Sequence, residues 1–405
     1  MKLQFLINSL TSGGAERIAT TIFNELSESD QYKIYFYTLE KDKFYNLNKE
    51  IYYKTLSNFT LNTNAPIKIL LLPLISLKYL KKTKKNNPNL LISFLELSNF
   101  INILTAKILK KSVIVSIRTN PIIMYPNDSI YGKIHNFLIK ILYPKANKII
   151  VVSKEIKNIL IENYNIPKEK IKTIYNPHYI SKYQKLSNES LGENYQNIFK
   201  DFIFINIGRL TEAKGQWFLI RSFKKVVEKY PNTKLIILGE GELKSNLQDL
   251  INKLNLQNNV YLLGMQENPF KFLKHSNCFV FSSLWEGLPN TVIEALSLNL
   301  PIISTDCKTG PREILCPELD VNNKIDYPYY GKYGILTKPF PREMIFKSLD
   351  EKPLMEEEQI LSNLMIKMIE DEDLRKRYSN GLERAKDFDI EKIMEEWEKI
   401  IGEVL

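Results

Sequence analysis

Short apolar strands alternate with helical stretches twice along this chain, and one polar stretch separates the two series. No other feature restricts the possible folds as much. Residues 2–7, 32–38, 90–94, 113–117 and 148–152 are brief runs rich in branched side chains, and the turn after the first contains two glycines and opens a helix over 16–26. Each run is separated from the next by enough chain for a crossover helix. After the polar stretch 181–200 the rhythm restarts, with strands at 201–207, 234–238, 260–263, 278–281 and 301–305 and helices at 217–229 and 243–254. Such alternation makes parallel sheets covered on both faces. The expected fold class is α/β: two Rossmann-like, doubly wound domains facing a cleft, residues 1–180 and 201–387, with 181–200 as linker. Ligands belong at the carboxyl ends of the strands. Residues 316–341, with Tyr327, Tyr329, Tyr330 and Tyr333, read as a long irregular insertion.

The totals exclude several classes. At 405 residues, 44% hydrophobic and 25% charged, the chain has the composition of a globular protein with a large core. Cys278, Cys307 and Cys316 make no disulfide framework and no zinc-ligand spacing, which suits a reducing cytoplasm. His135, His178 and His275 are too scattered for a histidine-rich metal site. The apolar stretch at the amino terminus is too short for a signal peptide, and the longest apolar run, 69–77, is interrupted by Pro73. Charge is uneven: residues 1–180 hold 26 Lys+Arg against 12 Asp+Glu, while 181–405 hold 30 against 34. A basic first half points to an anionic partner, either a membrane surface or a polyphosphate. Nucleic acid is disfavoured, because no recognition motif accompanies the charge.

Two segments bear chemistry. Glu286-Gly287-Leu288-Pro289-Asn290-Thr291-Val292-Ile293-Glu294 follows a buried-type strand and sets two carboxylates across a loop-to-helix junction. Proline suits a first helical turn, so the N–H groups of Leu288 to Thr291 stand free at a helix start, a ready anion site. By itself the pair is equally well explained as an acidic helix start that favours its own dipole. Upstream, Gly208-Arg209-Leu210-Thr211-Glu212-Ala213-Lys214-Gly215 closes another strand, and Arg209 and Lys214 have the reach for a diphosphate. Charge that builds on a departing phosphate is stabilised by fixed cations of this kind. Thr11-Ser12-Gly13-Gly14-Ala15-Glu16-Arg17 lets a backbone approach a ligand, although it lacks the dinucleotide spacing. Leu238-Gly239-Glu240-Gly241 reads first as an ordinary tight turn.

Taken together and in this order, these segments resemble the retaining glycosyltransferases of family 4, which have the GT-B fold, and the resemblance covers nearly the whole chain. It implies that Arg209 and Lys214 hold the donor diphosphate, Glu294 the ribose and Glu286 the sugar, with Gly14 bordering the reaction centre and Leu288, Asn290 and Thr291 lining the donor site. It also implies that the closing helix, 388–405, packs back on the first domain. Where many relatives carry a histidine, this chain has Arg118, in Ser116-Ile117-Arg118-Thr119-Asn120-Pro121. Ile141-Leu142-Tyr143-Pro144-Lys145-Ala146 and Thr309-Gly310-Pro311-Arg312-Glu313 are similar to segments of bacterial N-acetylgalactosamine transferases. The implied activity is transfer of an N-acetylhexosamine from a UDP-sugar to a polyprenyl-diphosphate-linked or polysaccharide acceptor, with Glu286 and Arg118 at the reaction centre. Front-face departure and a Glu286-assisted route both remain open.

Lys78, Lys81, Lys82 and Lys85 share a helix face beside the apolar stretch 67–77, the pattern of an element lying on an anionic membrane. A solvated surface helix explains the pattern equally well. The expected location is cytoplasmic, peripheral on the inner face of the cell membrane. No metal is expected: the Asp-x-Asp Asp371-Glu372-Asp373 sits in a helical run over 369–378. Two competitors are an epimerase or hydrolase of nucleotide sugars on the same fold, and a non-catalytic basic membrane-binding module.

Overall fold

The computed structural model describes residues 1–11 and 13–405, the side chains of Ala65, Pro66 and Ile69 excepted; Ser12 of the glycine-rich turn lies outside them. The chain divides into two compact units, Met1–Pro177 with Ile390–Leu405, and His178–Asp389. Among the described residues each unit is built on one seven-stranded sheet.

The first sheet comprises β1 (Lys2–Ile7), β2 (Lys33–Thr38), β3 (Tyr52–Thr55), β4 (Leu90–Phe94), β5 (Ser112–Ile117), β6 (Lys148–Val151) and β7 (Ile171–Thr173). Their order is β3-β2-β1-β4-β5-β6-β7, and every pairing is parallel. Phe5 lies level with Phe36 on one side and Ile92 on the other. The central strands are buried on both faces, hence their unbroken apolar runs. The edge strands β3 and β7 are half exposed and mix lysine with threonine, so apolar patterning did not disclose them. The helices are α1 (Gly14–Glu28), α2 (Ala65–Asn86), α3 (Glu96–Leu109), α4 (Pro121–Met124), α5 (Ile130–Leu142) and α6 (Lys154–Tyr164).

Over one face, Ile18 and Phe23 of α1 pack with Phe5, Phe94 and the closing helix, whose Ile393 and Trp397 are buried here. Phe94 stacks on Trp397 with ring centroids 5.8 Å apart. Over the other face, Tyr79 of α2 and Ile101 of α3 meet Leu6 and Tyr37. The apolar stretch and the lysine run form one 22-residue helix, α2, with Pro73 inside it.

The second unit begins earlier than expected. Residues 181–200, read as a linker, mostly fold as α7 (Ile180–Ser187), α8 (Glu193–Gln196) and a short 3-10 turn. Tyr183 stacks on Phe270 at 4.3 Å, so apolar contacts inside a polar-looking stretch give it structure. The sheet comprises β8 (Ile203–Ile207), β9 (Lys234–Leu238), β10 (Val260–Gly264), β11 (Cys278–Phe281), β12 (Ile302–Thr305), β13 (Tyr329–Tyr330) and β14 (Ile335–Thr337), in the order β10-β9-β8-β11-β12-β14-β13. The stretch read as an irregular insertion therefore contributes two strands, β14 parallel to β12 and β13 antiparallel to β14.

Helices α9 (Gln216–Lys229), α10 (Lys244–Lys253), α11 (Phe270–Lys274), α12 (Asn290–Leu296), α13 (Pro311–Leu315), α14 (Glu356–Glu370), α15 (Glu372–Arg377) and α16 (Gly381–Ala385) complete the unit, and α17 (Ile390–Val404) belongs to the first. Arg221 of α9 reaches Glu358 of α14 at 2.6 Å with both side chains inaccessible, and donates to the carbonyl of Lys347 at 2.6 Å. The run 369–378 is broken rather than continuous. Asp371 caps α15, its carboxylate accepting from the Leu374 N–H at 2.8 Å, which gives the acidic turn a local structural use.

Candidate active site

In a doubly wound sheet the crevice opens where the strand order reverses. In the second unit that point lies between β8 and β11, neighbours in the sheet although β9 and β10 come between them in sequence. Their carboxyl-end loops, 208–215 and 282–289, are sewn together. Ser282 Oγ donates to the Lys214 carbonyl at 2.8 Å, and the Leu284 N–H to the Ala213 carbonyl at 2.8 Å. Gly215 makes the approach possible: its φ is 57°, and a β-carbon there would press on the Ser282 carbonyl.

Across this seam Lys214 Nζ lies 2.5 Å from Glu286 Oε1, and Ser283 Oγ donates to the same oxygen at 2.8 Å. The two charged side chains are only 20% and 12% exposed, so their attraction is less screened than that of a surface pair. The backbone of Glu286 is pinned as well, its N–H donating to the Lys308 carbonyl at 3.2 Å and its carbonyl accepting from Thr309 Oγ1. Thr305 Oγ1 holds the Ser283 carbonyl at 2.7 Å. Nearby Cys307 is pushed well above the ordinary thiol value by burial, then by Glu286 and Asp306. It stays protonated and is no nucleophile.

Arg209 shares the first loop, is exposed, and makes no ion pair among the described residues. Gln216 Nε2 donates to the Arg209 carbonyl at 3.1 Å, while the buried Gln216 Oε1 has no partner among the described residues. The tight turn 238–241 serves the same loop. The Gly208 N–H donates to the Leu238 carbonyl at 3.0 Å and the Leu210 N–H to the Glu240 carbonyl at 2.9 Å; a β-carbon on Gly239 would collide with the Gly208 carbonyl.

Pro289 stands just before α12 rather than in its first turn, and Leu288 is buried. Asn290 and Thr291 open the helix half-buried, and Glu294 lies a turn inside it at 2% exposure. Seven residues make a short dipole, so Lys214 and Arg209 are the main positive charge at this edge.

In the first unit the reversal falls between β1 and β4. Gly14 begins α1, exposed, after β1. Arg118 follows β5 at 6% exposure, donating to Ser116 Oγ at 3.3 Å and to Asn176 Oδ1, with its guanidinium 5.4 Å from the Phe94 ring centroid. Among the described residues no carboxylate pairs with it, and burial pushes its pKa down to about 9, which still leaves it charged at neutral pH. Glu96, at the carboxyl end of β4, went unnoticed in the sequence. It is 5% exposed, Tyr125 donates to its Oε2 at 3.2 Å, and its Oε1 has no partner among the described residues. Burial holds this carboxyl above the usual range. The signal was its position two residues beyond a strand end, at Phe94-Leu95-Glu96. Of the four lysines of α2 read as a membrane face, Lys78, Lys81 and Lys85 are exposed and Lys82 half-buried; Lys78 is engaged, donating to the Leu56 carbonyl at 2.6 Å.

Comparison with known proteins accords with this geometry. Residues 12–180 match the family described as Glycosyltransferase Family 4, and residues 193–322 match Glycosyl transferases group 1. An uncharacterised glycosyltransferase of Methanocaldococcus jannaschii is 65% identical over 333 residues, 80% of this chain and 82% of that one. The N-acetylgalactosamine-N,N'-diacetylbacillosaminyl-diphospho-undecaprenol 4-alpha-N-acetylgalactosaminyltransferase of Campylobacter jejuni is 31% identical over 396 residues, 97% of each chain. Among solved structures, Anabaena HepE in complex with UDP superposes with a TM-score of 0.75 at 17% identity over the full length of both chains. Two Rossmann-like sheets, the two family matches and these relatives agree: the chain belongs to the family 4 (group 1) glycosyltransferases and is a glycosyltransferase of the GT-B fold.

Proposed function

We propose that this enzyme transfers an N-acetylhexosamine, with retention, from a UDP-sugar to a polyprenyl-diphosphate-linked oligosaccharide or a surface polysaccharide. One observation carries the proposal: the Lys214–Glu286 pair sits at the strand-order reversal of the second unit, with the unpaired Arg209 in the same loop. The two cations meet the donor diphosphate, where negative charge accumulates as the glycosidic bond breaks. Glu286, held by Lys214 and Ser283, receives the sugar hydroxyls, and Glu294 receives the ribose. Leu288, Asn290 and Thr291 complete the donor wall.

A uridine donor is supported by HepE, solved with UDP and with UDP-glucose, and by the pneumococcal O-GlcNAc transferase GtfA, solved with UDP and GlcNAc. The N-acetylhexosamine and the diphospho-polyprenol acceptor are supported by the names of two Campylobacter jejuni relatives. In the first unit Gly14 borders the reaction centre, and Arg118 supplies positive charge to the incoming acceptor from the carboxyl end of β5. Lys78, Lys81, Lys82 and Lys85 hold the enzyme at the inner face of the cell membrane, where such acceptors reside.

A calorimetric screen of nucleoside-diphosphate sugars, followed by transfer to a lipid-linked acceptor, is the test. E286Q is expected to bind UDP while losing roughly 100-fold or more in turnover. Sugar released at the wild-type rate without any acceptor would replace transfer by hydrolysis, and unimpaired turnover in E286Q would overturn the assigned role.

A further inference from the structure

In the first unit Leu95, between β4 and α3, holds a backbone that only glycine adopts with ease, with φ of 72° and ψ of 147°. Strain of this kind persists where the surroundings fix it, and it collects at sites of function. The turn delivers Glu96 at the first residue of α3, 5% exposed. Its Oε2 accepts from the Tyr125 hydroxyl at 3.2 Å, and its Oε1 has no partner among the described residues. The Lys214–Glu286 seam and the hydrogen bonds of Arg118 make no use of this acid.

What Glu96 holds is one wall of a cavity. Tyr125 lines a groove of about 450 Å³ between α4, α5 and α6, in the size range of small-molecule pockets. With it stand Phe137, Tyr164 and three carboxamides, Asn127, Asn136 and Asn163. The ring of Tyr125 is fixed twice, by Glu96 at its hydroxyl and by His135, which stacks on it at 4.3 Å and 14°. Asn136 is fixed three times. Its Nδ2 donates to the Tyr125 carbonyl and to Asn127 Oδ1, each at 2.7 Å, and its Oδ1 accepts from Tyr164 at 2.6 Å. A carbonyl only accepts, so this orientation of the Asn136 amide is forced, and that of Asn127 follows from it. The Asn127 amino group and the Asn163 amide make no hydrogen bond among the described residues, and both residues are exposed.

Among the described residues the groove carries a single charge, Lys140. A phosphate or nucleotide asks for more cations, a metal for clustered carboxylates, imidazoles or thiolates, and an acyl chain would strand the amides dry. Rings and aimed amides together suit a neutral pyranose, whose C–H face meets an aromatic face and whose adjacent hydroxyls meet an amide. We infer that the groove between α4, α5 and α6 is a binding site for a neutral pyranose, and that Glu96 is the positioning residue that holds its Tyr125 platform. Helix α6 runs from the carboxyl edge of the sheet back toward the amino edge, and Tyr164 ends it. The groove therefore descends the flank of the unit, away from the edge that bears Gly14 and Arg118. Its occupant is a non-reacting sugar of the acceptor glycan, whose binding lowers the acceptor KM. That last step rests on the proposal that the acceptor is a glycan; the groove itself does not.

The full-length protein is tested by saturation-transfer NMR with methyl α-N-acetylgalactosaminide. N127A/N163A, at two exposed positions, is expected to weaken binding roughly tenfold or more with a wild-type circular dichroism spectrum, and E286Q to leave it unchanged. E96V frees the Tyr125 hydroxyl and is expected to weaken binding roughly fivefold, while E96Q, which keeps an acceptor for that hydroxyl, retains it. Binding lost in E286Q but kept in N127A/N163A overturns the groove, as does the absence of saturation transfer to the wild type. Transfer is then followed to lipid-linked acceptors carrying one sugar and several. The longer acceptor is expected to have the lower KM, an advantage that N127A/N163A removes and that a simple loss of folded enzyme leaves in place. Equal KM values in the wild type, with the glycoside still bound, overturn the part played by the groove in acceptor binding. No transfer to any saccharide, with the glycoside still bound, overturns the glycan acceptor and leaves a carbohydrate site standing.

Discussion

At Glu286 a single oxygen accepts from both an ammonium and a hydroxyl, and the backbone on each side of it is tied down. A carboxylate so held is an aimed acceptor with little freedom to turn. S283A removes one neutral donor, worth about 1 kcal/mol, and is expected to slow turnover roughly fivefold while lowering melting by no more than a few degrees. Kinetics at saturating donor check it. Glu96 makes a prediction of the opposite kind. Its carboxyl is held above the ordinary range, so the folded chain keeps a proton that the unfolded chain has released. Over that window stability falls as pH rises, and E96Q is expected to abolish the fall; denaturant midpoints followed from acid to neutral buffer decide it. Arg209, Lys214 and Glu286 were legible because each stands in a loop at the end of an apolar strand. Ser283, Thr305 and Thr309 were not, because what matters about them is whom they touch, and Thr309 reaches Glu286 across 23 residues of sequence.

Strands and helices repeat the lesson one level up. Most interior strands of both sheets announce themselves because burial on two faces demands unbroken apolar residues, whereas β14, interior but only three residues long, did not. The edges β3, β7 and β13 stay silent because half their side chains face water. The lysine run was read on one helix face, but not that the apolar stretch before it, Pro73 included, belongs to the same helix, α2. The tight turn after β9 is where a backbone requirement replaces a side-chain one. Gly239 has φ of 149° and lies against the Gly208 carbonyl, so G239A is expected to cost roughly 1–3 kcal/mol in strain alone and to move the loop bearing Arg209. Lower thermal stability together with weaker UDP binding by calorimetry is the expected pair of results. Unchanged UDP affinity would separate the turn from the donor loop.

The whole molecule is two sheets of like construction whose sequence boundaries do not coincide with their structural ones. The first unit takes its last helix from the far end of the chain, and Trp397 fills the space over Phe94. W397A is expected to cost about 3–5 kcal/mol, visible as an earlier denaturant transition. A midpoint matching wild type would mean that α17 rests on the sheet without sealing it. That helix has a consequence for how the protein is made. Synthesis delivers β1 to β7 first, yet the part of the sheet over Phe94 that Trp397 fills stays open until Ile390–Val404 has been translated. The amino-terminal half is thus begun first and finished last, with the second unit folding in the interval. A message cut short anywhere before Ile390 yields an unsealed apolar sheet for chaperones and proteases to deal with, rather than a shorter enzyme.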